Sequence, residues 1–167
     1  MFDGGLIPCS SFEASAHPFA EFSLSNAGEE VLRLRYVADA EIEMHGGIAY
    51  RSETGGQRWE LQFFRTPFLQ RESYRVMGNG TLVASTDVFK PLRTAAITYS
   101  DATVWQCHIK MFGAEVDDSE GTQLLHTSPR IGLVMGESSL HVDHEMEKQH
   151  GLALLLILTH FTTHSDR

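Results

Sequence analysis

Apolar and polar residues alternate along most of the chain, as they do in strands that bury one face. In residues 31–37, Leu32, Leu34 and Tyr36 would lie on one face, with Arg33 and Arg35 on the other. A period of two with a polar partner face indicates a half-buried β-strand. Strands are predicted in the same way at residues 41–44, 48–51, 58–63, 73–77, 81–85, 94–99, 103–111, 122–126, 130–135 and 139–142. About ten short strands at such spacings are typical of an all-β barrel or sandwich.

Turn residues separate several of these segments. Gly78-Asn79-Gly80 lies between two alternating runs and predicts a tight hairpin. After a second turn, residues 103–111 would place Trp105, Cys107 and Met111 on the inward face.

The last part of the chain has a different pattern. The run GLALLLIL from Gly151 to Leu158 offers no polar face, and a helix of this kind is buried on every side. We predict a helix over residues 143–163, with Asp143 as its N-cap. Because a spanning helix needs about 20 apolar residues, a buried core helix is favoured over a membrane anchor. Gly151 weakens a helix, but it would also permit a close contact.

Many strands followed by one wholly apolar helix predict a mainly β domain, in which an antiparallel barrel is wrapped around a buried hydrophobic helix. The alternative is a β-sandwich capped by that helix. Residues 1–28 contain Pro8, Pro18 and several serines, so an irregular segment with at most one short strand, at residues 20–24, is expected. Residues 29–167 would form the single barrel domain.

Composition narrows the functional classes. A chain of 167 residues with 42% hydrophobic and 21% charged residues is one ordinary folded domain. Its net charge of −9 argues against nucleic-acid binding, which needs a basic surface. Seven of the 13 Lys and Arg residues nevertheless lie in residues 51–93, against four acids. Cys9 and Cys107 fit no metal or redox spacing, so reduced thiols in an intracellular protein are expected, and no secretory signal is visible.

Strand order and the end of the chain carry a resemblance to a known superfamily. With Ser139-Leu-His-Val-Asp-His144 leading into residues 151–158, the chain resembles the tubby C-terminal, phospholipid scramblase and LURP-one-like superfamily. Residues 32–50 with 58–64, and residues 97–110 with their Ser-Asp turn, Trp105 and Lys110, also resemble a fungal single-domain family of unknown function. The resemblance covers about residues 30–164. The superfamily resemblance implies a twelve-stranded barrel around a central hydrophobic helix. Tubby-like domains bind phosphoinositide headgroups through basic surface residues.

The outward arginines are candidates for phosphate binding. Arg33, Arg35, Arg58 and Arg75 all lie on predicted strands, and a guanidinium fork suits phosphate oxygens. The alternative is that these outward charges only protect strand edges and keep the protein soluble.

A histidine group near the start of the helix is a second candidate site. His141, His144 and His150 are close in sequence and would supply nitrogen ligands if they converged on a metal. They do not form an HExxH pattern, and the alternative is a solvated helix entrance. The acidic stretch at residues 113–121 lacks the spacing of an EF-hand loop, so a solvated loop is expected there.

These observations favour a non-enzymatic, intracellular binding domain without a cofactor, whose partner is a phosphoinositide, another anionic lipid headgroup or a protein. We expect it in the cytoplasm, with peripheral membrane contact at most and no nucleic acid. One alternative is a metal-dependent enzyme that uses the three histidines. Another is a structural protein that self-associates through exposed Val31, Val37 and Phe64.

Overall fold

The computed structural model describes residues 5–54, 56–66, 71–111, 113–129 and 136–164. Within them the chain forms two helices, α1 (Ala40–Met44) and α2 (Lys148–Thr163), and fourteen strands. The strands are β1 (Leu6–Ile7), β2 (Ser11–His17), β3 (Glu21–Asn26), β4 (Glu29–Val37), β5 (Gly47–Thr54), β6 (Gln57–Thr66), β7 (Arg71–Gly78), β8 (Thr81–Thr86), β9 (Thr94–Tyr99), β10 (Val104–Lys110), β11 (Gly113–Asp117), β12 (Gln123–Pro129), β13 (Glu137–Val142) and β14 (Met146–Glu147).

Twelve of these strands form one closed barrel. Each strand from β2 to β12 pairs antiparallel with the next strand in the chain, and β13 pairs with β2 to close the ring. The fold is therefore mainly β with a closed antiparallel barrel and a C-terminal helix, as predicted. The sandwich alternative is not supported, because the strands form one continuous ring rather than two sheets. Outside the ring, β1 pairs with β14.

The strand pattern was predicted best where large side chains alternate. Trp59, Leu61 and Phe63, which alternate with polar residues in β6, are all buried. The hairpin between β7 and β8 is also confirmed, because Asn79 and Gly80 both have positive φ, at 49° and 81°. Two consecutive residues of positive φ characterise the hairpin turn whose twist matches that of the flanking strands.

The N-terminal part of the chain is more regular than predicted. Residues 1–28 were expected to hold at most one short strand, but β2 and β3 are both full members of the barrel. In β2, Phe12 and Ala14 point inward and are fully buried. Most other residues of β2 are small or polar, so its alternation is weak in the sequence.

Residues 41–44, predicted as a strand, form most of α1. Asp39 caps this helix: its Oδ1 accepts hydrogen bonds from the backbone N–H groups of Glu41 and Ile42, both at 3.1 Å. Four alternating residues fit a single helical turn as well as a strand, and the cap decides between them. Met44, in the last position of this helix, is exposed.

Side chains near the ends of two strands are exposed although they were predicted to face inward. Trp105 and Cys107 are buried as predicted, but β10 ends at Lys110 and Met111 is exposed in the following turn. Tyr36, also expected inward, is exposed near the end of β4. The acidic stretch begins with β11 rather than a loop. The strand predicted at residues 130–135 lies outside the described residues.

The C-terminal helix begins later than predicted. Its N-cap is Glu147 and not Asp143, and the Glu147 carboxylate accepts from the N–H groups of Gln149 and His150. All side chains from Gly151 to Phe161 are buried, and those of its apolar residues join the inward residues of the strands in one core. The helix contacts β13, β2 and β3 and also β7 and β8, which lie across the ring from them.

The direction of α2 distinguishes the two ends of the barrel. At its N-terminal end, Tyr99 at the close of β9 donates a hydrogen bond of 3.0 Å to the carbonyl of His150. At its C-terminal end, Ser138 at the start of β13 hydrogen-bonds Thr162 at 2.5 Å. Because neighbouring strands alternate in direction, the β2–β3, β4–β5, β8–β9 and β10–β11 connections all lie at the α2 C-terminal end.

Candidate functional site

The Arg33 guanidinium is paired with two carboxylates of the protein itself. Its guanidinium donates to Glu30 Oε1 at 2.6 and 2.9 Å and to Glu21 Oε2 at 2.8 Å. The hydrogen bonds to Glu30 and then to Glu21 raise the pKa of Arg33. With two carboxylates on one guanidinium, this residue has little positive charge left for an outside phosphate.

The other three predicted arginines are less engaged. Within the described part of the chain, Arg35, Arg58 and Arg75 have no carboxylate oxygen within ion-pair distance. Arg35 lies directly opposite Arg51 on the neighbouring strand. Arg75 stacks over the ring of Phe64, with 5.5 Å from the guanidinium carbon to the ring centroid.

These arginines do not converge on one point. Arg75 lies opposite Gln62 in the β6–β7 ladder, four positions along β6 from Arg58. At about 3.3 Å per residue, the two backbones are about 13 Å apart along the strand. Arg35, Arg58 and Arg75 are exposed on the outside of the barrel, as predicted. They are spread over its outer face and do not form a single site.

A groove of 890 Å³ lies beside Arg58, between the β5–β6 and β7–β8 turns. Arg51 also lines it, together with Glu53 and Glu60. The Nε of Arg51 is 3.5 Å from Glu60 Oε1, so these two charges largely offset each other. With two arginines and two carboxylates, the groove does not select for an anion.

The three predicted metal ligands have separate surroundings. His141 hydrogen-bonds Ser11 at 2.9 Å and Ser128 at 3.0 Å, so both of its ring nitrogens are engaged. His144 is exposed, and its Nδ1 is 3.0 Å from the Glu145 carbonyl. The described residues contain no group of three or more His, Cys, Asp or Glu side chains arranged to hold a metal ion.

His150, the third of them, lies at the start of α2. Its Nε2 is 2.9 Å from Asp101 Oδ2 in the β9–β10 turn, and its ring packs on Tyr99 with 4.3 Å between centroids. It thereby ties the first turn of the helix to the barrel wall. This is a structural role at the helix entrance, where the His150 side chain is mostly buried rather than solvated.

His141 also belongs to a row of polar side chains across six neighbouring strands, which no pattern in the sequence indicates. The row follows the ladder pairings: Thr94, His108, Glu115, His126, His141 and Ser11. The rings of His126 and His141 stack with centroids 4.7 Å apart, and His126 Nδ1 donates to Asp143 at 2.7 Å. Only the register of the barrel brings these residues together.

A second histidine environment lies inside the core. The ring of His160 contacts the aromatic rings of Phe22, Tyr50, Phe63 and Tyr74, at centroid distances of 4.6 to 5.5 Å. Its Nδ1 and the Tyr74 hydroxyl share a hydrogen bond of 2.8 Å. The His160 imidazole is thus buried among aromatic side chains from four strands, with a hydrogen bond to one of them.

A group of exposed cations among the described residues was also missed. Arg71, Lys90, Arg93 and Lys110 are all exposed and lie at the α2 C-terminal end; we call them the basic lobe. The Phe89 N–H donates to the Glu72 carbonyl at 2.6 Å, which joins the β8–β9 loop to the start of β7.

The other side of the basic lobe is held in the same way. The Ile109 N–H donates to the Arg93 carbonyl at 2.9 Å, which joins the β8–β9 loop to the end of β10. Lys110 has a carboxylate nearby, that of Glu115 at 3.7 Å, with both side chains about half exposed. A sequence signal did exist, because three of the four cations lie in the basic stretch at residues 51–93.

Comparisons of the chain with protein-family models, with curated proteins and with solved structures gave no match. No helix in the described ranges has the length and apolar character needed to cross a bilayer.

Proposed function

We propose that this chain is a non-enzymatic binding domain, in which a barrel wrapped around α2 presents the basic lobe to an anionic partner. That partner is an anionic lipid headgroup or an acidic protein surface. The observation that carries the proposal is the grouping of four exposed cations at one end of a protein whose net charge is −9.

The contacts of α2 support the arrangement of barrel and helix. The strands that α2 contacts lie on opposite sides of the barrel. The single side chain of His160 contacts aromatic side chains from β3, β5, β6 and β7. A helix that touches opposite walls and is buried from residue 151 to residue 161 lies between those walls. Such a filled barrel is a rigid scaffold, which suits recognition by fixed surface charges.

The chemistry of the basic lobe supports an anionic partner. Ammonium and guanidinium groups form short, charge-assisted hydrogen bonds with phosphate and carboxylate oxygens. Of the four cations, only Lys110 has a carboxylate at ion-pair distance among the described residues, and both partners there are well exposed. Exposed pairs of this kind contribute little energy, so they are easily exchanged for a ligand.

The superfamily resemblance points in the same direction. The closed barrel with a buried C-terminal helix agrees with the fold that the resemblance implies. Membership of the tubby, scramblase and LURP-one-like superfamily is therefore part of the proposal. The basic lobe takes the place of the four arginines predicted from the sequence, since Arg33 is occupied and Arg58 and Arg75 are far apart.

The alternatives have less support in the geometry. The three histidines proposed for a metal-dependent enzyme each have different partners, as described above. The residues proposed for self-association, Val31, Val37 and Phe64, are only partly exposed, and Val31 packs against the core.

Co-sedimentation with vesicles and binding of inositol hexakisphosphate, a soluble polyanion, test the proposal. We expect binding to phosphatidylcholine vesicles that contain phosphatidylserine, weaker binding as salt increases, and a large loss in Lys90→Glu/Arg93→Glu. The matched control is Arg35→Glu/Arg58→Glu, which changes the net charge equally at two exposed arginines elsewhere on the barrel. Equal losses in both variants, or no binding to either anionic probe, would refute recognition by the basic lobe.

A further inference from the structure

We infer that the basic lobe docks on an anionic bilayer by inserting the apolar tips of the β8–β9 and β10–β11 loops. This inference rests on the proposed function and names the partner: a lipid bilayer rather than an isolated headgroup or an acidic protein.

Large apolar side chains stand beside the cations of the basic lobe. Leu92 is 66% exposed and Met111 is 71% exposed, and Val88 is exposed as well. Leu92 lies between Lys90 and Arg93 in one loop, and Met111 directly follows Lys110. A bilayer surface fits this pairing, because cations attract anionic headgroups while apolar tips enter the acyl boundary.

The distribution of exposed apolar residues follows the ends of the barrel. Single exposed apolar side chains are ordinary on protein surfaces. Here, however, each described connection at the α2 C-terminal end carries at least one exposed apolar residue, including Phe19 at 94% and Met44 at 82% exposure. At the opposite end, the exposed large apolar residues in the described ranges are Leu6 and Leu82, which lie in strands rather than at turn tips.

Two of these tips have an unusual backbone conformation. Leu92 has φ of 59° and Phe19 has φ of 65°, the left-handed region that non-glycine residues seldom adopt. Backbone strain of this kind persists where the surrounding structure holds it, and it is concentrated at functional sites. Both residues hold a large apolar side chain in solvent at some conformational cost.

Charge decides which side of this end faces the membrane. Met44 follows Asp39, Glu41 and Glu43 of α1, whose carboxylates would be repelled by anionic lipid. Leu92 and Met111 are flanked by cations instead. The barrel therefore tilts toward the β8–β9 and β10–β11 loops, with the α1 side raised from the surface.

A second copy of the chain fits this end less well. A stable protein interface needs a continuous complementary patch of about 800 Å² on each partner. The apolar tips are separate, and the cations between them would face the same cations across a twofold interface. Like charges facing each other in this way oppose association.

The test uses tryptophan as a reporter of insertion. The native Trp59 and Trp105 are buried, at 0% and 6% exposure, and are shielded from quenchers in a bilayer. We would prepare Leu92→Trp and Met111→Trp, with Leu82→Trp as the matched control at the opposite end. Each variant is mixed with phosphatidylserine-containing vesicles whose acyl chains are brominated.

We expect a blue shift and quenching of the added tryptophan in Leu92→Trp and Met111→Trp, and neither effect in Leu82→Trp. Co-sedimentation without quenching would overturn insertion while leaving the proposed anion binding intact. Binding of inositol hexakisphosphate without any vesicle binding would have the same meaning. If the parent protein binds neither the vesicles nor inositol hexakisphosphate, the proposed function fails together with the inference.

An affinity measurement provides an independent readout. Removing two inserted side chains in Leu92→Ser/Met111→Ser should weaken vesicle binding by at least about tenfold. Binding of inositol hexakisphosphate should not change, because the cations remain. Unchanged vesicle affinity in this variant would also overturn the inference.

Discussion

Gly151 permits a close approach between α2 and the N-terminal part of the chain. A Cβ built on Gly151 would lie 2.5 Å from Ile7 Cδ1 and 3.2 Å from Met146 Cβ. Ile7 is fully buried in β1, so its side chain has little room to move. We therefore predict that Gly151→Ala destabilises the protein, although alanine is the better helix former.

Two opposing terms set the magnitude. Replacing glycine by alanine inside a helix stabilises it by about 0.8–1.0 kcal/mol. Overpacking a buried contact by one methyl group costs about 1–3 kcal/mol. The expected net effect is a loss of about 1 kcal/mol in the free energy of unfolding.

Urea unfolding of four proteins measures this effect: the parent, Gly151→Ala, Ile7→Val and the double variant. Ile7→Val removes the Cδ1 atom that the new methyl group would meet, and alone it should cost about 0.5–1.5 kcal/mol. Because the added methyl then fills the vacated space, the double variant should be more stable than the sum of the single changes by about 1 kcal/mol. Stabilisation by Gly151→Ala would refute the close contact, and strict additivity would show that Ile7 is not the residue responsible.

Three further predictions concern ionisable and polar groups. The Thr103 N–H donates a hydrogen bond to Asp101 and lowers the pKa of that carboxyl. The folded protein therefore gains stability from the ionised carboxylate at pH values above its ordinary pKa of 3.8, and it loses this stability as the pH falls below that value. Asp101→Ala should therefore destabilise the protein in urea at neutral pH and less so at about pH 3; an equal effect at both would contradict this. Tyr74→Phe removes the hydroxyl that shares a hydrogen bond with His160 Nδ1 in the core. It should lower the free energy of unfolding, measured by heat or urea, by about 1–3 kcal/mol. An unchanged stability would show that this hydrogen bond contributes little. Burial raises the pKa of Cys107 to about 12, so under native conditions a thiol reagent should label only the other, exposed cysteine; rapid labelling of both would count against the core position.

Local patterns were the part of the fold that the sequence predicted well. Alternation of Trp59, Leu61 and Phe63 reports burial directly, since every second side chain faces the core. The Asn79-Gly80 turn depends only on the backbone preferences of two residues. The uniform apolar run after Gly151 likewise predicted a fully buried helix, whatever surrounds it.

Features that depend on distant partners were missed. The strand β2 is stabilised by pairing with β13, where Ser11 meets His141 across 130 residues of chain. Its own alternation is carried mainly by Phe12 and Ala14, which is too weak a signal to stand alone. In residues 41–44 the deciding feature is the cap provided by Asp39, which a search for alternating residues does not consider.

The candidate site was harder still to predict, because charge depends on neighbours. Arg33 is neutralised by Glu21, which reaches it only through the β3–β4 pairing. The basic lobe likewise forms only when the β8–β9 loop is joined to β10. A sequence shows which cations exist, whereas the register of the barrel shows which remain available.

Closure of the barrel between β2 and β13 also limits how a partner can be recognised. In an open sheet, an outer strand offers unpaired N–H and C=O groups to which a peptide can add as a further strand. Every described barrel strand from β2 to β13 has a neighbour on both sides, so β-augmentation has no edge to use here. Recognition on the barrel must then rely on side chains and loop tips, which point substitutions can probe one at a time.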